Sequence, residues 1–200
     1  MSMNRRTTLT SLLAAAFLAT GLCLPAHAAT DVAGVKFDDS VSLAGKELKL
    51  NGAGLRTKVF FKIYALGLYL PEKKTSVADI LALAGPRRVS ITVLRELSSE
   101  EFGNAFMAGL NANTEKAERN KVLSQTMKFG EMFAQIPGLK KGDVLTVDWL
   151  PGEGTQCHLN GKKIGEVLPD VAFYNAILRI WLGDKPADSS LKPKLLGEAN

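Results

Sequence analysis

Arg56 and Tyr64 stand out as the side chains in this 200-residue sequence best suited to hold an anion. Arginine presents a planar fork of N–H donors that fits both oxygens of a carboxylate, and tyrosine adds a neutral O–H. Both lie in Asn51–Leu70, NGAGLRTKVFFKIYALGLYL, one of the longest apolar and aromatic segments after the N-terminal leader. Read as a strand, it puts Val59, Phe61, Ile63 and Ala65 on one face and Phe60, Lys62, Tyr64 and Leu66 on the other. The first face is uniformly apolar and the second is mixed. An arginine at the mouth of such a strand, with a tyrosine facing the same region, suits an anion held above an apolar cavity. The same residues also describe a core strand that ends in a solvated arginine. The Gly52-Ala53-Gly54 stretch reads as a turn that brings Arg56 close to the sheet, and Pro71 closes the strand.

Other reactive side chains carry less. Cys157 and His158 are adjacent, so on a strand they face opposite sides and form neither a zinc site nor a Cys/His dyad. No metal site and no cofactor are expected. Lys140-Lys141 and Lys162-Lys163 stand beside glycines as solvated turns. Residues 1–28 have the pattern of a cleaved secretory signal: basic Arg5-Arg6, apolar Leu9–Leu24 and an Ala26-His27-Ala28 cleavage site. The apolar run is short of the roughly 20 residues of a membrane span. Cleavage after Ala28 and export to a bacterial periplasm are therefore expected. Without residues 1–28, 172 of the 200 residues remain, with Cys157 as the single cysteine and no internal disulfide. Of 25 basic residues, Arg5 and Arg6 leave with the leader; the other 23 against 20 acids give +3. That is too mild a charge to indicate a nucleic-acid partner.

The elements around the segment alternate in kind. Residues 32–50 predict two short strands, VAGVKF and KELKLNG, with a turn at Asp38-Asp39-Ser40. Val77–Leu83 predicts a short helical piece. Arg87–Leu94 alternates as a strand with Val89, Ile91 and Val93 on one face. Ser98-Ser99-Glu100-Glu101 is a capping-box pattern, and Phe102, Ala105, Phe106, Gly109 and Leu110 then mark one helical face. A second helix is predicted over Glu115–Ile136, with Met127 and Met132 mostly inward; such methionines line either an adaptable cavity or plain core. Asp143–Leu150 and Gly154–Asn160 form a hairpin, followed by a strand at Lys163–Leu168. Helices are predicted at Val171–Leu182 and Asp188–Leu196. No linker or repeat divides residues 29–200, which read as one α+β domain.

The pieces GLR and FKIYALGLYLPEK, then RRVSITVLRELSSEEF with its helix, then YNAILRIWLGDKP, resemble in that order the chalcone isomerase superfamily. The likeness runs from about Asp31 to Gly197. It implies an open-faced β-sandwich, a curved antiparallel sheet with helices packed on one side. In the family's true isomerases a guanidinium orients the substrate phenolate, while threonine and tyrosine hydroxyls, through water, stabilise the developing enolate. Arg56 matches the family arginine by its Gly-Leu-Arg context, in a chain four residues shorter before the IGVYL-like segment. YALGLYL on TAIGVYL puts Tyr64 at the catalytic threonine. LSSEEF on LTGQQY puts Phe102 at the catalytic tyrosine, and Gly109 falls where the isomerases carry an active-site asparagine. Tyr64 is instead similar to the fatty-acid-binding branch, where arginine and tyrosine grip a carboxylate, although that branch also keeps a tyrosine at the Phe102 position.

Three readings follow. One is an exported, non-catalytic protein binding a fatty acid or similar small amphipathic anion through Arg56 and Tyr64, with Phe60, Phe102, Phe106 and Met132 as the apolar wall. Another is an intramolecular lyase or isomerase that uses Arg56 and Tyr64 on a chalcone-like or other substrate. A third is a structural or partner-binding periplasmic protein with a filled core.

Overall fold

A computed structural model describes residues 29–198; the leader expected over residues 1–28 lies outside the described residues. The chain opens with two hairpins, β1 (Ala29–Val32) with β2 (Val35–Asp38) and β3 (Ser40–Leu43) with β4 (Lys46–Lys58). Each turns on an Ala-Gly pair in left-handed backbone, Ala33-Gly34 and Ala44-Gly45, as tight two-residue hairpins require. The region expected to hold two strands therefore holds the last residue of β1, all of β2 and β3, and the start of β4.

β4 also overturns one expectation. It runs without a turn through Gly52 and Gly54, and the reversal comes later, at Val59-Phe60, before β5 (Phe61–Leu70). The glycines serve close approach. A Cβ on Gly52 would stand 1.9 Å from the Lys194 carbonyl oxygen, and one on Gly54 would stand 2.7 Å from Leu191 Cδ1. Both neighbours belong to the C-terminal helix, which lies directly on β4. Asn51 locks that contact: its amide nitrogen donates to the Leu195 and Lys74 carbonyls at 2.7 and 2.8 Å, while its oxygen accepts from Lys74 N–H.

After β5 come α1 (Val77–Ala82), β6 (Arg87–Val93), the short β7 (Leu97–Ser98) and α2 (Ser99–Asn113), whose capping box at Ser98 and Glu101 is formed as expected. The predicted helix over 115–136 is two, α3 (Lys116–Lys121) and α4 (Leu123–Ala134), separated by non-helical backbone at Val122. α3 is KAERNK and buries no residue, so packing does not hold it to the axis of α4, while Val122 itself is buried. On α4, Phe129, Met132 and Phe133 face inward, but Met127 is exposed. The chain ends with β8 (Gly138–Leu139), β9 (Val144–Leu150), β10 (Gly154–Leu159), β11 (Lys162–Leu168), α5 (Val171–Leu182) and α6 (Leu191–Leu195).

Seven strands form one antiparallel sheet in the order β11-β10-β9-β6-β5-β4-β3. It curls into a half-barrel with helices on one side. Leu66, Leu68 and Leu70 of β5 pack in that concave core with Val89, Ile91, Leu145 and Val147, under α2, α4 and α5. Each fully buried leucine contributes about 1.5–3 kcal/mol. The opposite parity of β5, Ala65 and Tyr69, packs in a smaller cluster with Val32 and Phe37 of the β1–β2 hairpin. The mixed face of the sequence thus turns to the helices. None of the described helices is long and apolar enough to cross a membrane.

Candidate functional site

The two-residue loop at Val59-Phe60 pairs β4 with β5 so that Arg56 stands directly across from Tyr64. The guanidinium lies over the phenol ring, with Cζ 5.3 Å from its centroid. Trp181, on the last turn of α5, donates its indole N–H to the Tyr64 hydroxyl oxygen at 2.7 Å. That bond occupies an acceptor position on the phenol and leaves its proton to donate elsewhere. Burial pushes the Tyr64 pKa up, opposed by the Arg56 charge and by the Trp181 hydrogen bond, so the phenol is a neutral donor at ordinary pH.

Arg56 makes no ion pair among the described residues, and its Nε is buried without a hydrogen-bond partner among them. Asp188 is the acid whose charge bears on Tyr64, but its oxygens are committed elsewhere. One accepts from the Thr57 N–H and hydroxyl, the other from the Ser190 N–H and hydroxyl.

Arg56, Tyr64 and Trp181 line one end of a cavity of about 840 Å³ between the concave face of the sheet and the helices. That volume lies within the roughly 300–1,000 Å³ of small-molecule sites. Its floor is Ile63, Ile91, Val93, Leu145 and Val147; its roof includes Phe102, Phe106, Phe129, Ile177 and Ile180. Phe102 lies tilted against Phe133 and Phe106 stacks on Phe129, each pair with ring centroids 4.3 Å apart. At the rim stand Lys58, Arg95 and Lys185, with Glu101 as the one acid. Glu101 is held well ionised, chiefly by its capping bonds with Ser98 and further by Arg95 and Lys58.

Two residues expected in the wall are elsewhere. Phe60 occupies the tip of the β4–β5 hairpin, 93% exposed and outside the cavity. An alternation argument assigns it to the Tyr64 face, but the chain reverses there. Met132 is buried against β11, where its Sδ would stand 2.4 Å from a Cβ on Gly165, and it does not line the cavity. Phe102 and Phe106 do line it. Trp181, Arg95 and Lys185 also line the cavity, and no motif in the sequence marks them as site residues. Trp181 falls in the helix expected over Val171–Leu182, but a helix expectation does not say which strand residue it meets.

The family model described as chalcone isomerase-like matches residues 29–197. The chain belongs to the chalcone isomerase-like family. A crystal structure of a fatty-acid binding protein from Arabidopsis thaliana has the same fold, with a TM-score of 0.64 and 15% identity, covering 82% of this chain and 92% of that one. No curated protein sequence matches. In this chalcone isomerase-like chain the position aligned with the isomerases' asparagine, Gly109, is the contact point of α2 with α5. A Cβ there would come within 2.7 Å of Ile180 Cγ2. The absence of a side chain at 109 is thus built into the helix packing, and the aligned tyrosine position is the hydroxyl-free Phe102, its ring against Phe133.

Proposed function

We infer that this chain is an exported, non-catalytic binding protein for a fatty acid or a similar small amphipathic anion. The observation that carries the reading is Arg56, a guanidinium without an acid partner whose buried Nε stands at the wall of a largely apolar cavity. A carboxylate there would accept from Arg56 and from the Tyr64 hydroxyl, while its acyl chain ran along Ile91, Val147 and the phenylalanine roof. The fold shared with a plant fatty-acid binding protein supports the same direction. Isomerase chemistry has less support, because a half-buried arginine and a phenol orient an anion but Phe102 and Gly109 supply no further donors for an enolate. Export rests on the leader pattern of Arg5-Arg6, Leu9–Leu24 and Ala26–Ala28, and mass spectrometry of the protein from its native host should find Ala29 at the N-terminus.

The decisive test is titration calorimetry with a panel of free fatty acids and phenolic acids. Wild type should bind at least one class. A charge-assisted hydrogen bond contributes about 1.5–3 kcal/mol, so Arg56→Ala should weaken that binding by about tenfold to a hundredfold while the fold persists. Absence of binding by wild type, or equal binding by Arg56→Ala, sinks the reading.

A further inference from the structure

The tip of the β4–β5 hairpin presents three large apolar side chains to solvent: Val59 is 78%, Phe60 93% and Phe61 54% exposed. They account for three of the seven exposed large hydrophobic residues among those described, and they are consecutive. Val59 also takes φ +58°, a left-handed backbone that β-branched residues rarely adopt. The tip is flanked by cations. Lys58 stands directly across from Phe61, and Lys62 across from Thr57. Arg95 places its guanidinium 3.9 Å over the Phe61 ring, and it makes no ion pair among the described residues. The acid facing this group is Glu101, whose carboxylate is bound into the capping box of α2. Val59, Phe61, Lys58 and Arg95 also line the rim of the 840 Å³ cavity.

We propose that this tip is a membrane-docking wedge: Val59 and Phe60 enter the headgroup region of an anionic bilayer, Lys58, Lys62 and Arg95 contact its phosphates, and the cavity mouth is thereby set at the lipid surface. Apolar side chains ringed by cations are the composition of interfacial anchors, and the charge sign selects an anionic surface. A water-soluble phosphate metabolite would not account for an exposed phenylalanine. The purpose of the device, passing an amphipathic anion between bilayer and cavity without crossing water, rests on the binding reading above. The docking itself does not depend on it.

The test is co-sedimentation of protein beginning at Ala29, where the described fold starts, with vesicles of equal parts phosphatidylglycerol and phosphatidylcholine, and with vesicles of phosphatidylcholine alone. Wild type should partition to the anionic vesicles and much less to the neutral ones. Phe60→Ser should lower that partition by about tenfold or more, the loss expected when a phenylalanine no longer leaves water. Lys58→Ala and Lys62→Ala should each lower it by roughly fivefold. Phe60→Ser should leave fatty-acid binding in free solution unchanged, because Phe60 is outside the cavity. Failure of wild type to sediment with anionic vesicles, or equal sedimentation of Phe60→Ser, overturns the proposal. So does self-association without vesicles that Phe60→Ser abolishes, which would make the tip a contact between copies. If wild type sediments with vesicles and binds no fatty acid, the docking stands and the cavity reading falls.

Discussion

Among the described residues two arginines lie over tyrosine rings, at opposite ends of the central strands, and they have different fates. Arg56 is 5.3 Å from the Tyr64 centroid at the cavity; Arg87, which opens β6, is 5.1 Å from the Tyr174 centroid in sealed core. One helix serves both, since α5 supplies Tyr174 near its start and Trp181, the partner of Tyr64, two turns later. Arg87 is fully buried and donates to the Ile80 carbonyl at 3.1 Å and to Asn175 Oδ1 at 2.9 Å. Burial lowers its pKa, opposed by the Tyr174 phenol and by no carboxylate. Its guanidinium ties α1 and α5 to the sheet. A cation over an aromatic ring is thus the proposed ligand handle beside a cavity at one end and a cross-brace in the core at the other. What separates them is free volume beside the guanidinium.

The largest expected effect tests the brace. Arg87→Ala should lower stability by about 2–5 kcal/mol, through the cavity it leaves and the Asn175 oxygen it strands. Chemical denaturation would measure this. Arg87→Met, which keeps most of the volume and removes a desolvated charge, should cost less. If Arg87→Ala unfolds at the wild-type denaturant midpoint, the contrast between the two ends fails.

The handle should respond in the reverse sense, in binding more than in stability. Tyr64→Phe removes the hydroxyl donor and should weaken fatty-acid binding by about three- to tenfold, read by calorimetry. Because Trp181 touches that hydroxyl, bound ligand should alter the intrinsic fluorescence. The change should persist in Trp149→Phe and vanish in Trp181→Phe, Trp149 and Trp181 being the two tryptophans of the chain. A signal that follows Trp149 instead would move the ligand to the Arg87 end.

The smallest effect concerns alkaline pH. Burial raises the pKa of Tyr64, Tyr69 and Tyr174, in the case of Tyr69 from 10.0 to about 12. These phenols hold their protons more tightly folded than unfolded. Their contribution is complete below the ordinary value of 10.0 and is lost as pH rises through the folded values. The denaturant midpoint should therefore fall as pH climbs from 10 toward 12, and Tyr69→Phe should flatten part of that fall. A midpoint that stays level across this range would show that the three phenols are hydrated in solution.

Local periodicity by itself determined much of this protein. The alternation of Val89, Ile91 and Val93 and the capping box at Ser98 and Glu101 each depend on neighbours a few residues away, and each formed as read. Arg56 and Tyr64 were legible as a pair because strand parity and the Gly-Leu-Arg resemblance both point to them. Tertiary structure alone decided the rest. Gly52 and Gly54 looked like a turn because glycine is compatible with one, and only the arrival of α6, some 140 residues later, shows that they clear space for a helix backbone. Phe60 looked like cavity wall because alternation has no means of marking where a hairpin reverses, and reversal sends the side chain at the tip into solvent. Trp181 meets Tyr64, and Met132 meets Gly165, through contacts that depend on how helices lie across a curled sheet. Such contacts join residues far apart in the chain, so no window of sequence contains both partners.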